Sequence, residues 1–391
     1  MPRAVIALGL VSLCMDASSE LIHSLLPLFM VGTLGASVTL VGLVEGLAEG
    51  TASFVKVGSG AFSDWHGRRK PLAVLGYGLG AASKVLFPLA TSVGFVFAAR
   101  FIDRIGKGIR GAPRDALVAE VTPPALHGRA FGLRQALDST GAVVGPLAAS
   151  ALMLAFAGDF RTVFWFALIP AWVSVAVLVF GVHEPAPGRA PARESRVTAI
   201  AVTGWRALPT PFWLLLGVVA CFGLARYGEA FLILAAEEGG LSAGAAPLAY
   251  ALMSAVYAAS AYPAGHWSDA WGRTRLLAAG LVVLALADVV LGLAKTPALV
   301  LLGAALFGLH MGLSQGLLAA LVADVAGAQA RGLAFGLYNA MSGLAVLVAS
   351  LGVGAIWTQA GRGAAFALAA GLALVAAGAL LLWARRYRAP A

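Results

Sequence analysis

Apolar residues follow one another in long runs along nearly the whole chain. Roughly twelve runs stand out, at about 4–32, 38–63, 71–91, 93–119, 129–156, 162–182, 211–236, 243–266, 274–293, 296–322, 332–356 and 363–384. Each approaches or exceeds the ~20 mostly apolar residues with which a helix crosses a bilayer. They are called spans 1 to 12. Glycine and alanine are frequent inside them, which in lipid lets helix backbones approach closely. The pattern predicts an all-α integral membrane protein.

Composition supports lipid as the solvent. A length of 391 residues is enough for two or three soluble domains, but 60% of the residues are hydrophobic and 12% charged. A soluble domain is typically ~45–50% apolar and ~25% charged. The start, MPRAVIALGLVSLCMD, has the look of a signal peptide. Its apolar run continues past residue 30, contains acids and lacks a clear cleavage site, so it reads as span 1. Cys14 and Cys221 sit alone in separate spans and suggest neither a disulfide framework nor a metal site.

The net charge of +9 does not call for nucleic acid, because the cations gather in alternate loops. One set of connections carries HGRRK (66–70), His127 with Arg129, Arg189, Arg193, Arg196, Arg206, Arg273 with Arg275, and Arg331, and the tail adds ARRYR (384–388). The opposite set carries Arg161, Lys295 and Arg362. The positive-inside rule then places both termini in the cytoplasm of a bacterial inner membrane, and an even number of spans agrees.

The chain is written twice. LVAEVTPPALHGRAFGL (117–133) returns as LVADVAGAQARGLAFGL (321–337), at an offset of 204. GAFSDWHGRRK (60–70) returns as GHWSDAWGRTR (265–275), at an offset of 205. Two matches at nearly one spacing indicate a duplicated unit. The expected division is 1–182 and 211–391, six spans each, joined by a Pro- and Arg-rich cytoplasmic linker over 183–210. Parallel repeats of this kind face each other about an axis along the membrane normal.

Four motifs now fall in order. Gly60-x3-Asp64-x2-Gly67-Arg68-Arg69-Lys70 lies between spans 2 and 3, and a weaker copy, Gly265-x3-Asp269-x2-Gly272-Arg273, between spans 8 and 9. Arg104-x3-Gly108-x2-Gly111-Ala112 lies on span 4, and Gly141-x3-Gly145-Pro146 on span 5. Over essentially its whole length the chain resembles a transporter of the major facilitator superfamily. The resemblance implies twelve helices in two pseudo-symmetric six-helix bundles, alternating access, no enzymatic activity and no cofactor or metal. It assigns Gly60, Asp64, Gly67, Arg68, Asp269 and Arg273 to a cytoplasmic latch, with Arg114 at the same inner gate. It associates Gly141, Gly145 and Pro146 with proton-driven exporters, although the glycines that commonly trail this motif are Ala148, Ala149 and Ser150 here.

Span 4 is the unusual one. In RFIDRIGKGIRGAPRD (100–115), a helix places Arg100, Asp103, Arg104, Lys107, Arg110, Arg114 and Asp115 within an arc of about 140°. A lone charge at mid-depth costs on the order of 2.5–3.5 kcal/mol, so the stripe is expected to face a watery cavity or paired acids. Arg100 and Arg114 are near enough to the ends to snorkel. Asp16, Glu20 and His23 share a face of span 1, Glu45, Glu49 and Lys56 a face of span 2, and Arg134 and Asp138 a face of span 5. Burial raises a carboxyl toward physiological pH, so Asp16, Glu20 and Asp138, with Glu45 and Glu49 behind them, are the proton-coupling candidates. Arg104, Lys107, Arg110 and Arg134 are the cavity cations.

The second half is plainer: Ser314, Leu318 and Ala319 stand where Arg110, Arg114 and Asp115 stand in the first. It keeps Arg226, Glu229, Tyr250, Tyr257, His310, Gln315 and Asn339 as cavity candidates. Coupling and charge recognition are therefore expected in the first half and a more apolar wall in the second. His23 and His310 read as packing residues, and Glu237 and Glu238 as solvated charges in an outer loop. GYGLGAAS (76–83) lies inside an apolar run with no preceding strand, so it reads as helix packing and not as a nucleotide loop.

With no Walker lysine motif, an ion gradient is the expected energy source. The expected function is proton-coupled efflux of a small charged or amphiphilic solute by a monomer in the bilayer. A proton-coupled importer of an anionic or metal-chelating metabolite is the alternative, and a lipid flippase or non-transporting receptor the alternative of another class.

Overall fold

The structure, a computed structural model, describes residues 1–66, 68–123, 126–182 and 208–387, leaving aside the side chains at 57, 60, 61, 64–66, 269–270 and 327–332. The linker expected over 183–210 thus lies almost wholly outside the described residues. Among those described, every regular element is helical.

Among the described residues, nine stretches are long and apolar enough to cross a bilayer. Eight answer one to one to spans 1–3, 5–7, 9 and 10, from Arg3–Thr33 to Pro297–Ala326. The ninth, Leu333–Arg386, holds 54 residues, about 80 Å of helix at 1.5 Å per residue against a hydrocarbon core of ~30 Å. It is turned at Gly361, whose φ of 83° is left-handed, between spans 11 and 12. Spans 4 and 8 are the helices Val93–Glu120 and Ala246–Trp271. They are polar for different reasons, the first through its charged stripe and the second through tyrosines and serines set among alanines. The all-α, twelve-span architecture expected from hydropathy is the one observed.

The backbone clusters into two compact units. The first comprises Met1–Ala36, Leu47–Ala192 and Ser242–Ala251, the second Ser37–Gly46, Arg193–Leu241 and Leu252–Ala391. The core of the first joins spans 1, 3, 4, 5 and 6 through Leu8, Met15, Tyr77, Leu117, Ala130 and Leu178. That of the second joins spans 7, 9, 10 and 12 through Phe212, Leu215, Leu281, Leu318, Leu380 and Trp383.

Small residues bring the helices of the first unit together. A Cβ on Gly141 would stand 2.5 Å from the Leu13 carbonyl oxygen, and one on Gly145 2.6 Å from that of Ala17. Span 5 therefore lies directly on span 1. Gly76 and Gly106 meet in the same way, a Cβ on either standing 2.7 Å from the other's carbonyl oxygen, so the glycine-rich GYGLG is a crossing point of spans 3 and 4. Pro113 lies inside span 4 and cannot donate to the carbonyl of Ile109. That carbonyl instead accepts the Ser59 hydroxyl of span 2 at 3.1 Å.

The two halves share their turns. Spans 3 and 9 end with an extended residue at Ala90 and Ala294, 204 residues apart. In the first half Arg161 donates to the carbonyls of Pro88 and Ala90 at 2.8 and 2.7 Å. In the second Arg362 donates to those of Ala235 and Ala294. Each cation donates to backbone carbonyls at helix ends.

Candidate functional site

Spans 1 and 7 are both interrupted. Span 1 is helical from Arg3 to His23, turns at Ser24 and Leu25, and resumes at Leu26. The cause is Pro27, which cannot donate to the carbonyl of His23. Span 7 stops at Ala225, runs extended through Arg226, and resumes at Ala230. No proline is involved there. The Gly228 N–H donates to Ser350 Oγ at 3.0 Å, which satisfies one donor of the break.

In the first unit span 4 stays helical and turns its stripe inward, and Arg100, Asp103, Arg104 and Arg110 are all buried. Buried charges persist only where they are paired and hydrogen-bonded. Lys84 Nζ, itself fully buried, stands 2.7 Å from Asp103 Oδ1 and donates to Ser19 Oγ at 3.1 Å. Asp103 Oδ2 is 3.6 Å from His23 Nε2 and 3.7 Å from Arg104 Nε. His23 Nδ1 is 3.6 Å from Glu20 Oε2, which accepts the hydroxyl of Tyr250 at 2.9 Å. Arg104 Nη1 reaches Glu49 Oε1 at 3.0 Å, and its Nη2 lies 3.0 and 3.3 Å from the two His23 nitrogens.

The network continues along the helix. Arg110 lies over the Tyr77 ring, 4.9 Å from its centre, with Nη2 4.0 Å from Asp16 Oδ1. Arg114 reaches Ser12 Oγ at 3.1 Å, Asp115 at 3.1 Å and Asp138 at 3.6 Å. Arg134 closes the set, 3.7 Å from Asp115 and 3.8 Å from Asp138. Asp16, Glu20, Glu49 and Asp138 thus face the cations of spans 4 and 5, while Lys107 is exposed.

The remaining candidates are more scattered. Glu45 is buried and packs near Gly228. Arg226 and Glu229 flank the break of span 7. The Tyr257 hydroxyl lies 3.4 Å from Gln315 Oε1, and Asn339 is half-buried. His310 donates through Nδ1 to the Gly280 carbonyl at 2.8 Å between the rings of Phe222 and Phe307. Of the latch, Gly67 and the side chains at Gly60, Asp64 and Asp269 lie outside what is described; Arg68 is exposed and Arg273 pairs with Asp324.

Three expectations need correction. Arg100 does not snorkel; it is 3% exposed. Arg114 does not snorkel either; it reaches Ser12 and Asp138. Glu238 is not a free loop charge: it ends the helix Ala230–Glu238, accepts the Trp357 indole N–H at 2.9 Å and stands 3.8 Å from Arg362. Sequence reasoning also passed over Lys84, Tyr227 and Asp288 and read His23 as packing. The repeat offset of 204 was the available signal, since it sets His23 against Tyr227 and Lys84 against Asp288.

Comparison with known proteins agrees with this architecture. The family model described as Major Facilitator Superfamily matches residues 8–236 and 218–391. An uncharacterised MFS-type transporter of Methanocaldococcus jannaschii is 32% identical over 362 residues, 91% of this chain and 88% of that protein. The multidrug resistance protein MdtH of Edwardsiella ictaluri is 27% identical over 293 residues, 70% and 67% of the two chains. Among solved structures, a peptide transporter POT in complex with sulfate superposes with a TM-score of 0.81 at 16% identity, over 99% of this chain and 95% of the other. The human organic anion transporter MFSD10 gives 0.64 at 19%, over 97% and 100%. The chain belongs to the major facilitator superfamily; it is a multi-pass membrane transporter, not an enzyme.

Proposed function

We propose that the chain is a secondary active exporter that moves a small charged or amphiphilic solute by alternating access in exchange for protons. The observation that carries this reading is the setting of His23. Its two ring nitrogens each have a carboxylate at 3.6 Å, and Arg104 Nη2 stands 3.0 and 3.3 Å from the same nitrogens. A guanidinium only donates. A neutral ring therefore accepts from Arg104, whereas a protonated ring has only donors, repels Arg104 and turns to Glu20 and Asp103. One proton here decides whether Arg104 is shared with His23 or left wholly to Glu49. Histidine is the side chain whose unperturbed charge changes between pH 5 and 8.

Asp16, Glu20, Glu49 and Asp138, with Glu45, are the carboxylates proposed to exchange protons with it. Efflux is supported by the name of the MdtH relative and by the glycine pair of span 5. The protein is proposed to work as a monomer in a bacterial inner membrane, with both termini cytoplasmic and the halves 1–182 and 211–391 joined by the linker. The pairs Arg69–Glu120 at 3.1 Å and Arg273–Asp324 are proposed members of the cytoplasmic gate.

A thermal-shift ligand screen at two pH values, followed by flux in proteoliposomes under an imposed pH gradient, tests the reading. His23→Gln, Glu20→Gln, Asp16→Asn and Asp138→Asn are each expected to abolish gradient-driven flux of the ligand found. Full coupling surviving in all four overturns proton exchange through this network. The importer reading draws on one observation: Arg110 Nη1 is buried without a hydrogen-bond partner, as a donor waiting for an anion would be. Uptake of an anionic solute along the proton gradient, in place of extrusion, selects it.

A further inference from the structure

We infer that Asp288 and Tyr227 form a proton-binding site in the second half, Asp288 carrying the proton and Tyr227 fixing the acid beside the break of span 7. The inference starts from the duplication. At the offset of 204 that aligns the ends of spans 3 and 9, His23, Lys84 and Asp103 correspond to Tyr227, Asp288 and Phe307. In the first copy this point holds a cation and an anion 2.7 Å apart. In the second, the lysine has become an acid and the aspartate a phenylalanine. A carboxyl remains where its counter-charge has been replaced by a ring.

The geometry agrees. Asp288 is fully buried on span 9. Its Oδ1 accepts the Tyr227 hydroxyl at 2.7 Å, and its Oδ2 is buried without a partner. Around the phenol stand the rings of Phe231, Phe307 and Phe366, at 5.7, 5.7 and 5.3 Å between centres. The charged and titratable groups on the elements packed around span 9 include His310, Arg362, Glu237 and Glu238, with Arg226 and Glu229 at the break of span 7. His310 is bonded to Gly280, eight residues before Asp288. Arg362 is engaged by two carbonyls and lies near Glu238, at the same helix end as Glu237. Arg226 and Glu229 flank the break on which Tyr227 sits. Among the described residues no cation pairs with Asp288. A fully buried, ionised carboxylate with one hydrogen bond for two oxygens is the state such a place disfavours most. A proton on Oδ2 neutralises it and leaves Oδ1 as the carbonyl that Tyr227 needs.

The site is distinct from the His23 network and does not depend on proton-coupled transport. Because Tyr227 sits where the backbone of span 7 leaves the helix, any movement of that break strains or releases the bond to Asp288. Protonation and the conformation of span 7 are thereby linked.

Infrared spectra of the purified full chain in H2O and D2O read the carbonyl stretch of protonated carboxyls. The wild type minus Asp288→Asn is expected to show the loss of one such isotope-sensitive band at neutral pH. Tyr227→Phe is expected to keep that band and displace it, because the carbonyl loses its donor. Identical protonated-carboxyl regions in wild type and Asp288→Asn overturn the proposal. If the asparagine variant does not fold, Tyr227→Phe decides alone: a displaced band supports the site, and an unchanged region overturns it.

Discussion

Spans 1, 3 and 4 meet around His23, Lys84 and Asp103; spans 7, 9 and 10 meet around Tyr227, Asp288 and Phe307. The two places descend from one sequence and have diverged in how they tolerate buried polarity. The first half sets several buried charges against opposite neighbours. The second reduces them to a single acid and a phenol within aromatic packing. A dense network is the more vulnerable of the two, since removing one member leaves another charged and unpaired. It is also the more responsive, because one proton can redistribute several partners.

The sharpest way to break this contrast is Asp103→Leu. It strands Lys84, which is fully buried, and is expected to cost about 3–5 kcal/mol, the usual penalty for halving a buried ion pair. Adding Lys84→Met should restore most of the thermal stability in detergent. A double variant as unstable as the single one would show that pairing is not what holds this point together.

Next in size is Gly145→Val. Its Cβ would stand 2.6 Å from the Ala17 carbonyl, so span 5 must leave span 1, at roughly 1–3 kcal/mol for overpacking. The second half already carries alanine, Ala345 and Ala349, where the first has Gly141 and Gly145, and Gly316→Ala, with open space around it, should leave the melting temperature unchanged. Ser350→Ala removes the acceptor of the Gly228 N–H and is expected to cost about 1 kcal/mol; its melting curve tests whether that bond matters to the break of span 7.

The smallest effect lies in the loop before span 6. Asp159 accepts the hydroxyl of Thr162 and the N–H of Arg161, and the bond from Thr162 holds its carboxyl below the usual range. A depressed folded value stabilises above the unfolded value of about 3.9 and is lost as pH falls through the folded value. Asp159→Asn should therefore flatten the acid limb of melting temperature against pH. The matching turn of the second half, Gly361-Arg362-Gly363, has no acid and contributes no such limb.

Much of the fold was legible because hydropathy needs no tertiary information: a run of twenty apolar residues fixes a span by itself. The charged stripe was legible for a related reason, since seven charges on one arc of span 4 point to partners on neighbouring helices. Lys84 and Asp288 were not. Each is one charge in an otherwise apolar run, with no periodicity to mark it, and its significance lies in a partner 19 or 61 residues away. The Tyr250–Glu20 bond joins residues 230 apart, which no local pattern encodes. The break of span 1 was written in Pro27, while that of span 7 has only Gly228 and depends on Ser350.

Arg161 and Arg362 bear on how the polypeptide is threaded into its membrane. A guanidinium bonded to backbone carbonyls offers little free charge to a lipid surface. Its acceptors, at Pro88, Ala90, Ala235 and Ala294, all precede it in the chain, so a nascent polypeptide has made them before the arginine emerges. Both cations are then nearly silent as topogenic signals.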